Sequence, residues 1–267
     1  MSRNIQPAKQ RQTGFALSGG FIKGFAHLGV MQALKEHDIH PDILSGVSAG
    51  ALAGAFYADG NEPYRVLDYF SGHRFHDLAK LVIPRQGLFN LSELIDFLKT
   101  NLKAKTIEKL KIPLIITATD LDHGKSVHFR KGELAIRIAA SCCMPVLFAP
   151  VRIDNIHYVD GGLFMNLPVS TIRRECAKVV AINVSPLIAS EYKMNIVNIA
   201  MRAYNFMFRS NSFPQRENCD LLIEPYNLYG YSNHELEKAE EIFEQGYRAA
   251  NETLARIKEE KGTIWKV

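Results

Sequence analysis

Three short segments combine residue types that do chemistry with spacings that position them. Gly46-Val47-Ser48-Ala49-Gly50 sets a serine between Asp42-Ile43-Leu44-Ser45, which reads as a strand, and Ala51 to Tyr57, which reads as an apolar helix. Gly-x-Ser-x-Gly between strand and helix is the pattern of a nucleophile elbow. The turn is tight, so small residues must flank the serine where backbones crowd. The hydroxyl then stands at a helix N-terminus, whose dipole favours developing negative charge. The competing reading is an ordinary glycine-rich turn.

The second segment is Ser18-Gly19-Gly20-Phe21-Ile22-Lys23-Gly24, between the apolar run Gly14 to Leu17 and a helical pattern over Gly24 to His37. Such a loop presents backbone N–H groups to an anion. A dinucleotide fingerprint needs glycine where Phe21 stands, and a phosphate loop needs serine or threonine after a lysine that follows glycine. Phe25 and Ala26 follow Gly24, so both patterns fail. The remaining chemistry is an oxyanion cradle for acyl transfer, in which loss of one donor costs about 3 kcal/mol. Gly19 and Ser48 lie 48 − 19 = 29 residues apart, about one βαβ unit. Adjacent parallel strands would bring both loops to one sheet edge. A turn that only lets the first helix pack closely is the alternative.

A serine hydroxyl needs a base. The chain has nine histidines. In the α/β-hydrolase order the catalytic histidine comes late, and only His234 follows His157. His234 reads as a first-turn helix residue, His73 and His76 as surface, and His27, His37 and His40 as parts of the first helix and its exit. The better candidate is Asp160 in Val159-Asp160-Gly161-Gly162, where a strand delivers a carboxylate to a glycine turn. An aspartate near its reference pKa of about 3.9 is a poor base, so partial desolvation must raise it. A plain Asp-Gly turn is the alternative.

These segments need a scaffold. The chain has 267 residues, 47% hydrophobic and 22% charged, enough to bury a large core. Strand and helix signals alternate, which implies a mostly parallel sheet covered on both faces, an α/β fold. Strands are expected at Leu114 to Thr119, Ser126 to Phe129, Val151 to Ile153, His157 to Val159, Val179 to Val184 and Leu221 to Ile223. Helices are expected at Tyr64 to Phe70, after a capping box at Asn90-Leu91-Ser92-Glu93, over Glu133 to Ser141, and from about Asn233 to Lys258. Residues 1–12 read as a loose polar terminus and 13–267 as one domain. No apolar run approaches the roughly 18 residues of a membrane span. Cys142, Cys143, Cys176 and Cys219 have no metal-type spacing and read as reduced thiols of a cytoplasmic protein. Asp120 and Asp122 look like a turn after a strand, so neither a metal nor a cofactor is expected. A net charge of +4 is too mild for a nucleic-acid partner but compatible with peripheral contact to an anionic membrane.

Taken together, the motifs resemble the patatin-like phospholipases, in order, from about Thr13 to Glu224. Leu17 to Val30 is similar to the family's glycine-rich block, Gly46 to Gly50 to its nucleophile motif, Ala139 to Pro145 to the segment before its acid, and Asp160-Gly161-Gly162 with Asn166-x-Pro168 to its acid motif. The resemblance implies a three-layer α/β/α fold and a Ser48–Asp160 dyad without histidine. It also implies an oxyanion hole built from Gly19, Gly20, Phe21, Lys23 and Gly24. Two residues depart from the pattern. Phe21 replaces a third consecutive glycine, where a side chain disfavours positive φ and narrows the acyl site; Lys23 stands where arginine is frequent.

The implied reaction is hydrolysis of a lipid or phospholipid ester through an acyl-enzyme. Asn195, Asn198, Arg202, Asn205 and Arg209 form a polar stripe at helical spacing, with apolar residues around it. This segment reads as a mostly buried helix or, alternatively, as an apolar cap over an acyl groove. An acyltransferase on a related fold is the main rival, although Val47 stands where carrier-protein transacylases have histidine. A catalytically impaired lipid-binding protein and a nucleotide-binding module are the others.

Overall fold

The computed structural model describes residues 11–70, 77, 80–81, 89–185, 194–228, 231 and 236–262. His73, His76 and His234 lie outside them. In chain order the strands are β1 (Arg11–Leu17), β2 (Ile43–Val47), β3 (Lys80–Leu81), β4 (Phe89–Asn90), β5 (Leu114–Asp120), β6 (Lys125–Phe129), β7 (Val151–Ile153), β8 (Ile156–Asp160), β9 (Cys176–Ile182) and β10 (Leu221–Ile223). The helices are α1 (Phe25–Glu36), α2 (Ala49–Ala58), α3 (Val66–Phe70), α4 (Ser92–Asn101), α5 (Leu134–Cys142), α6 (Ile196–Arg216) and α7 (Ala239–Lys261).

The main sheet runs β10-β9-β1-β2-β5-β8-β7, with β6 also paired to β5. The first five strands of that order are mutually parallel, whereas β6, β7 and β8 join antiparallel. The central strands are apolar on both sides, as a covered parallel sheet requires. Phe15, Leu17, Leu44, Ile116, Val180 and Ile182 enter a large core with the helices α1, α2, α4, α5 and α7. Ala16, Ile43, Ile115, Val179 and Ala181 face the other way, onto Leu167, Val169 and Ile172. The protein is therefore a layered α/β fold around a mixed, mostly parallel sheet.

Several sequence expectations shift. β1 begins at Arg11, inside the stretch read as a loose terminus, because its ladder to β9 starts at Cys176 and Arg11 pairs with Glu175. The capping box does not form; Asn90 Oδ1 accepts from the N–H and hydroxyl of Ser92, and Leu91 occupies the N-cap position. The C-terminal helix begins at Ala239, with a short 3-10 turn over Leu236–Lys238 before it. The segment read as mostly buried over Asn195 to Arg209 is a longer helix, α6, with only one face buried, at Tyr204, Phe208 and Ser212.

The loop between β1 and α1 is held from behind. α1 crosses α7 at two glycines: a Cβ on Gly29 would stand 1.9 Å from the Phe243 carbonyl oxygen, and one on Gly246 would stand 2.2 Å from that of Ala26. Backbone faces backbone at this crossing, so neither side can yield by turning a side chain. Gly29→Ala is therefore expected to destabilise the protein by about 2–3 kcal/mol despite alanine's better helix propensity. Thermal melts check this; an unchanged midpoint would show that the helices can move apart freely.

Candidate active site

The sheet itself brings Ser48 and Asp160 together. β5 gives one edge to β6 through Ile116 to Asp120. Its opposite edge is shared: Leu114 to Thr117 pair with β2, and Ala118 to Asp120 pair with β8. β2 is parallel to β5 and β8 antiparallel, so the two strands meet head to head. Thr117 registers with Val47, and the next residue, Ala118, registers with Asp160. The residue that follows Val47 is Ser48.

Ser48 occupies the turn from β2 into α2 with φ +52 and ψ −122. This is a strained conformation for a residue with a side chain, of the order of 1–3 kcal/mol. Its neighbours hold it there. The Ser48 N–H donates to Ser141 Oγ at 2.8 Å, whose own hydroxyl donates to the Thr117 carbonyl at 2.6 Å. The Leu52 N–H donates to the Ser48 carbonyl at 3.0 Å, continuing α2. The flanking glycines are dictated by crowding: a Cβ on Gly46 would meet Gly50 backbone at 2.6 Å, and one on Gly50 would meet the Leu17 carbonyl at 2.4 Å.

Asp160 ends β8 with its backbone fully committed. Its N–H donates to Cys143 O at 2.8 Å, and its carbonyl accepts from Thr119 Oγ1 at 3.0 Å. Oδ1 accepts from the Gly162 N–H at 2.7 Å, while the buried Oδ2 has no protein hydrogen bond of normal geometry. Burial raises the carboxyl to a pKa of about 7, against which the Gly162 N–H and then the Ser48 hydroxyl act to stabilise the charge. Gly161 is pressed against the Thr117 carbonyl, 2.3 Å from where a Cβ would stand, and Gly162 lies under the Phe208 ring at the same distance. Burial, followed by the negative charge of Asp160, also pushes the adjacent Cys143 thiol up to about 12. No histidine hydrogen-bonds to Ser48 or Asp160 among the described residues.

The glycine-rich loop closes over the same point. A Cβ on Gly19 would stand 3.3 Å from Ser48 Cβ. The loop amides are not equivalent. Gly19 N–H is committed to Asn166 O and Lys23 N–H to Gly20 O, both at 3.1 Å, so neither is free to serve as an oxyanion donor. Among the described residues, nothing accepts from the N–H groups of Gly20 and Phe21. Phe21 adopts φ +55, taking up the left-handed conformation although it has a side chain. Gly24 packs against Ala49, with 2.7 Å between a built Cβ and that of Ala49, which ties the loop to α2. The Lys23 side chain is largely desolvated, which lowers its pKa. His27, read as part of a helix, anchors the loop: it is fully buried, its Nε2 lies 2.8 Å from Ser18 O, and desolvation lowers it to about 4, so it is neutral.

Three contributors were not singled out as site residues in the sequence. Ser141 holds the elbow, as above. Asn166 is fully buried against Gly19, and its side-chain oxygen and nitrogen have no protein partners. Tyr204 reaches the Asp160 carbonyl from α6 at 3.4 Å. Asn166 and Ser141 each carry a signal, in the Asn166-x-Pro168 pattern and in the Ala139 to Pro145 segment; Tyr204 acts through a contact distant in the chain. Beside the elbow lies an apolar cavity of about 40 Å³, lined in part by Phe21, Phe25, Ala49, Leu52, Phe56 and Phe70.

The family model for patatin-like phospholipases matches residues 15–172, a span that holds Ser48, Asp160 and the glycine-rich loop. An uncharacterised NTE-family protein of Mycobacterium tuberculosis is 30% identical over 217 residues, which cover 78% of this chain and 59% of that protein. Lysophospholipase NTE1 of Cryptococcus neoformans is 29% identical over 174 residues, covering 61% of this chain and 10% of that one. The chain thus spans 59% or less of the length of these curated relatives. The crystal structure of VipD from Legionella pneumophila shares the fold, with a TM-score of 0.51 at 15% identity over 93% of this chain and 67% of that one.

The raised carboxyl has a consequence for stability. Between the unfolded pKa near 3.8 and the folded value of about 7, the native state keeps a proton that the unfolded chain has released. Stability therefore falls as pH rises through that window, by roughly 4 kcal/mol in the limit. Asp160→Asn removes this dependence. Its stability relative to the native protein is expected to improve steadily from about pH 4 to about pH 8, as read by thermal melts; a constant difference would contradict the assignment.

Proposed function

Because the chain belongs to the patatin-like phospholipase family, we propose that it is a serine acyl hydrolase that cleaves carboxylic esters of lipids. The observation that carries this reading is the buried Asp160 carboxyl, poised near neutrality with one uncommitted oxygen, beside a serine in an elbow. A carboxylate with a pKa near the working pH is a competent general base, which one at its ordinary value is not.

In this reading Asp160 Oδ2 takes the Ser48 proton as Oγ attacks the ester carbonyl. The Gly20 and Phe21 N–H groups receive the oxyanion, and the α2 N-terminus favours the same charge. As the tetrahedral intermediate collapses, the C–O bond to the alcohol breaks and Asp160 returns the proton to the leaving oxygen. Water then attacks the acyl-enzyme, Asp160 accepts its proton, and the same donors hold the second oxyanion. The carboxylic acid leaves and the proton returns to Ser48. Gly19 contributes close approach and Asn166 O positions it. The apolar cavity between α1, α2 and α3 takes the first part of the acyl chain, with Phe21 at its wall.

Ser48→Ala is expected to lower hydrolysis of p-nitrophenyl butyrate at least about a thousandfold and to abolish labelling by a fluorophosphonate probe. Full activity in that variant would overturn the reading. The base must be ionised, so kcat/KM should rise through about pH 7 and level off above it. Phe21→Gly relieves the positive φ and opens the cavity, so activity across graded p-nitrophenyl esters should shift toward longer chains. An unchanged length profile would remove Phe21 from the acyl site.

A further inference from the structure

α6 has two faces with different surroundings. Its inner face is seated on the Asp160 turn. The Tyr204 hydroxyl meets the Asp160 carbonyl, Phe208 covers Gly162, and Asn211 donates to Gly162 O at 2.7 Å while accepting from the Asn166 N–H at 2.7 Å. Its outer face is apolar and open. Ile199, Phe206 and Phe213 recur every seven residues, which aligns them along one side of a helix, and they are 46%, 48% and 58% exposed. Ile196 and Met194 extend the same exposed surface at the helix's start.

A second row runs beside the first. Arg202, Arg209 and Arg216 also recur every seven residues, each three places after one of the apolar residues. Arg202 lies over the Phe206 ring at 5.3 Å and Arg216 over the Phe213 ring at 5.9 Å. Arg216 also pairs with Glu224. Residues 194–216 contain no aspartate, glutamate or lysine, so the helix itself carries only positive charge. Exposed aromatic and aliphatic side chains bordered by arginines, with no acidic residue within the helix itself, match an interface where acyl chains lie beneath anionic headgroups. A solvated helix would interleave acidic residues on this face, and a core helix would not expose it.

We propose that the outer face of α6 docks on an anionic lipid bilayer. Ile199, Phe206 and Phe213 enter the headgroup–acyl boundary, and Arg202 and Arg209 meet lipid phosphates. This deepens the lipid-ester reading and rests on it for the substrate, since the docked helix is the one that covers Asp160.

The test separates docking from catalysis. Binding is measured with full-length Ser48→Ala protein, by co-sedimentation with vesicles of phosphatidylcholine alone or mixed with phosphatidylglycerol. Catalysis is measured with otherwise native protein on soluble p-nitrophenyl butyrate. Binding is expected to require phosphatidylglycerol and to weaken with salt. Ile199→Ser/Phe206→Ser/Phe213→Ser should reduce partitioning about tenfold or more while soluble-ester turnover stays near native. Arg209→Glu, a single exposed change, should weaken binding to the anionic vesicles alone and guards against misfolding of the triple variant. Vesicle binding that neither substitution affects, or no binding by the parent protein, overturns the proposal. So does a parent protein that self-associates through this face, becoming monomeric in the triple variant without ever binding vesicles. If vesicles bind but the native protein turns over no ester, the docking face stands and the hydrolase reading falls; the reverse pattern removes docking alone.

Discussion

Everything at the site follows from how one edge of β5 is divided. A strand has two hydrogen-bonding edges, and β6 fills one of them. On the other, β2 arrives parallel and stops, and β8 arrives antiparallel and stops, with the change of partner falling between Thr117 and Ala118. Two strands far apart in sequence are thereby made to end at the same place, each delivering a polar side chain into the gap. The Thr117 carbonyl fixes the gap further: it accepts from the Ser141 hydroxyl that holds the elbow, and it is the group against which Gly161 is pressed. The ladder, rather than a direct side-chain bond, sets the serine–carboxylate geometry.

That arrangement puts a carboxyl where charge is expensive. Asp160 is buried, and the group that most directly supports its anion is a single backbone amide, Gly162 N–H. A second or third strong donor would have held the carboxyl near its ordinary range. No cationic side chain among the described residues offsets the burial: what opposes it is the Gly162 N–H and then the Ser48 hydroxyl, while His27, also buried, is neutral. A site of this kind is tuned chiefly by exclusion of water. α6, which contributes Tyr204 and Phe208 to the enclosure, therefore acts on the electrostatics of Asp160 without bearing a charge near it.

Much of this was legible in the sequence because it is local. The elbow glycines, the strand before them and the Asp-Gly-Gly turn each announce themselves within five residues, and the parallel pairing of β1 with β2 follows from a connection of one helix. The expectation that Phe21 would resist positive φ rested on local sterics, and tertiary packing of its ring in the cavity overrides it. The Gly19 amide looked equivalent to Gly20 because no local rule reveals Asn166 across 147 positions, 166 − 19. The capping box failed for a similar reason, since Asn90 sits in β4 and turns its side chain to Ser92. α6 was misread as mostly buried because apolar content suggests burial, and only the fold shows which face has company.

The glycine crossing of α1 and α7 also bears on how the protein is made. The loop that cradles Ser48 leads straight into α1, whose exposed side is covered by a helix that begins only at Ala239, and β1 gains its second neighbour only with β9. A chain emerging from the ribosome would present β1, α1 and the Ser48 turn long before either cover exists. Such late closure demands contacts of high sequence separation, which slows folding and leaves apolar surface open to chaperones or aggregation in the interval. The serine-bearing part of the site is thus made well before the elements that cover it.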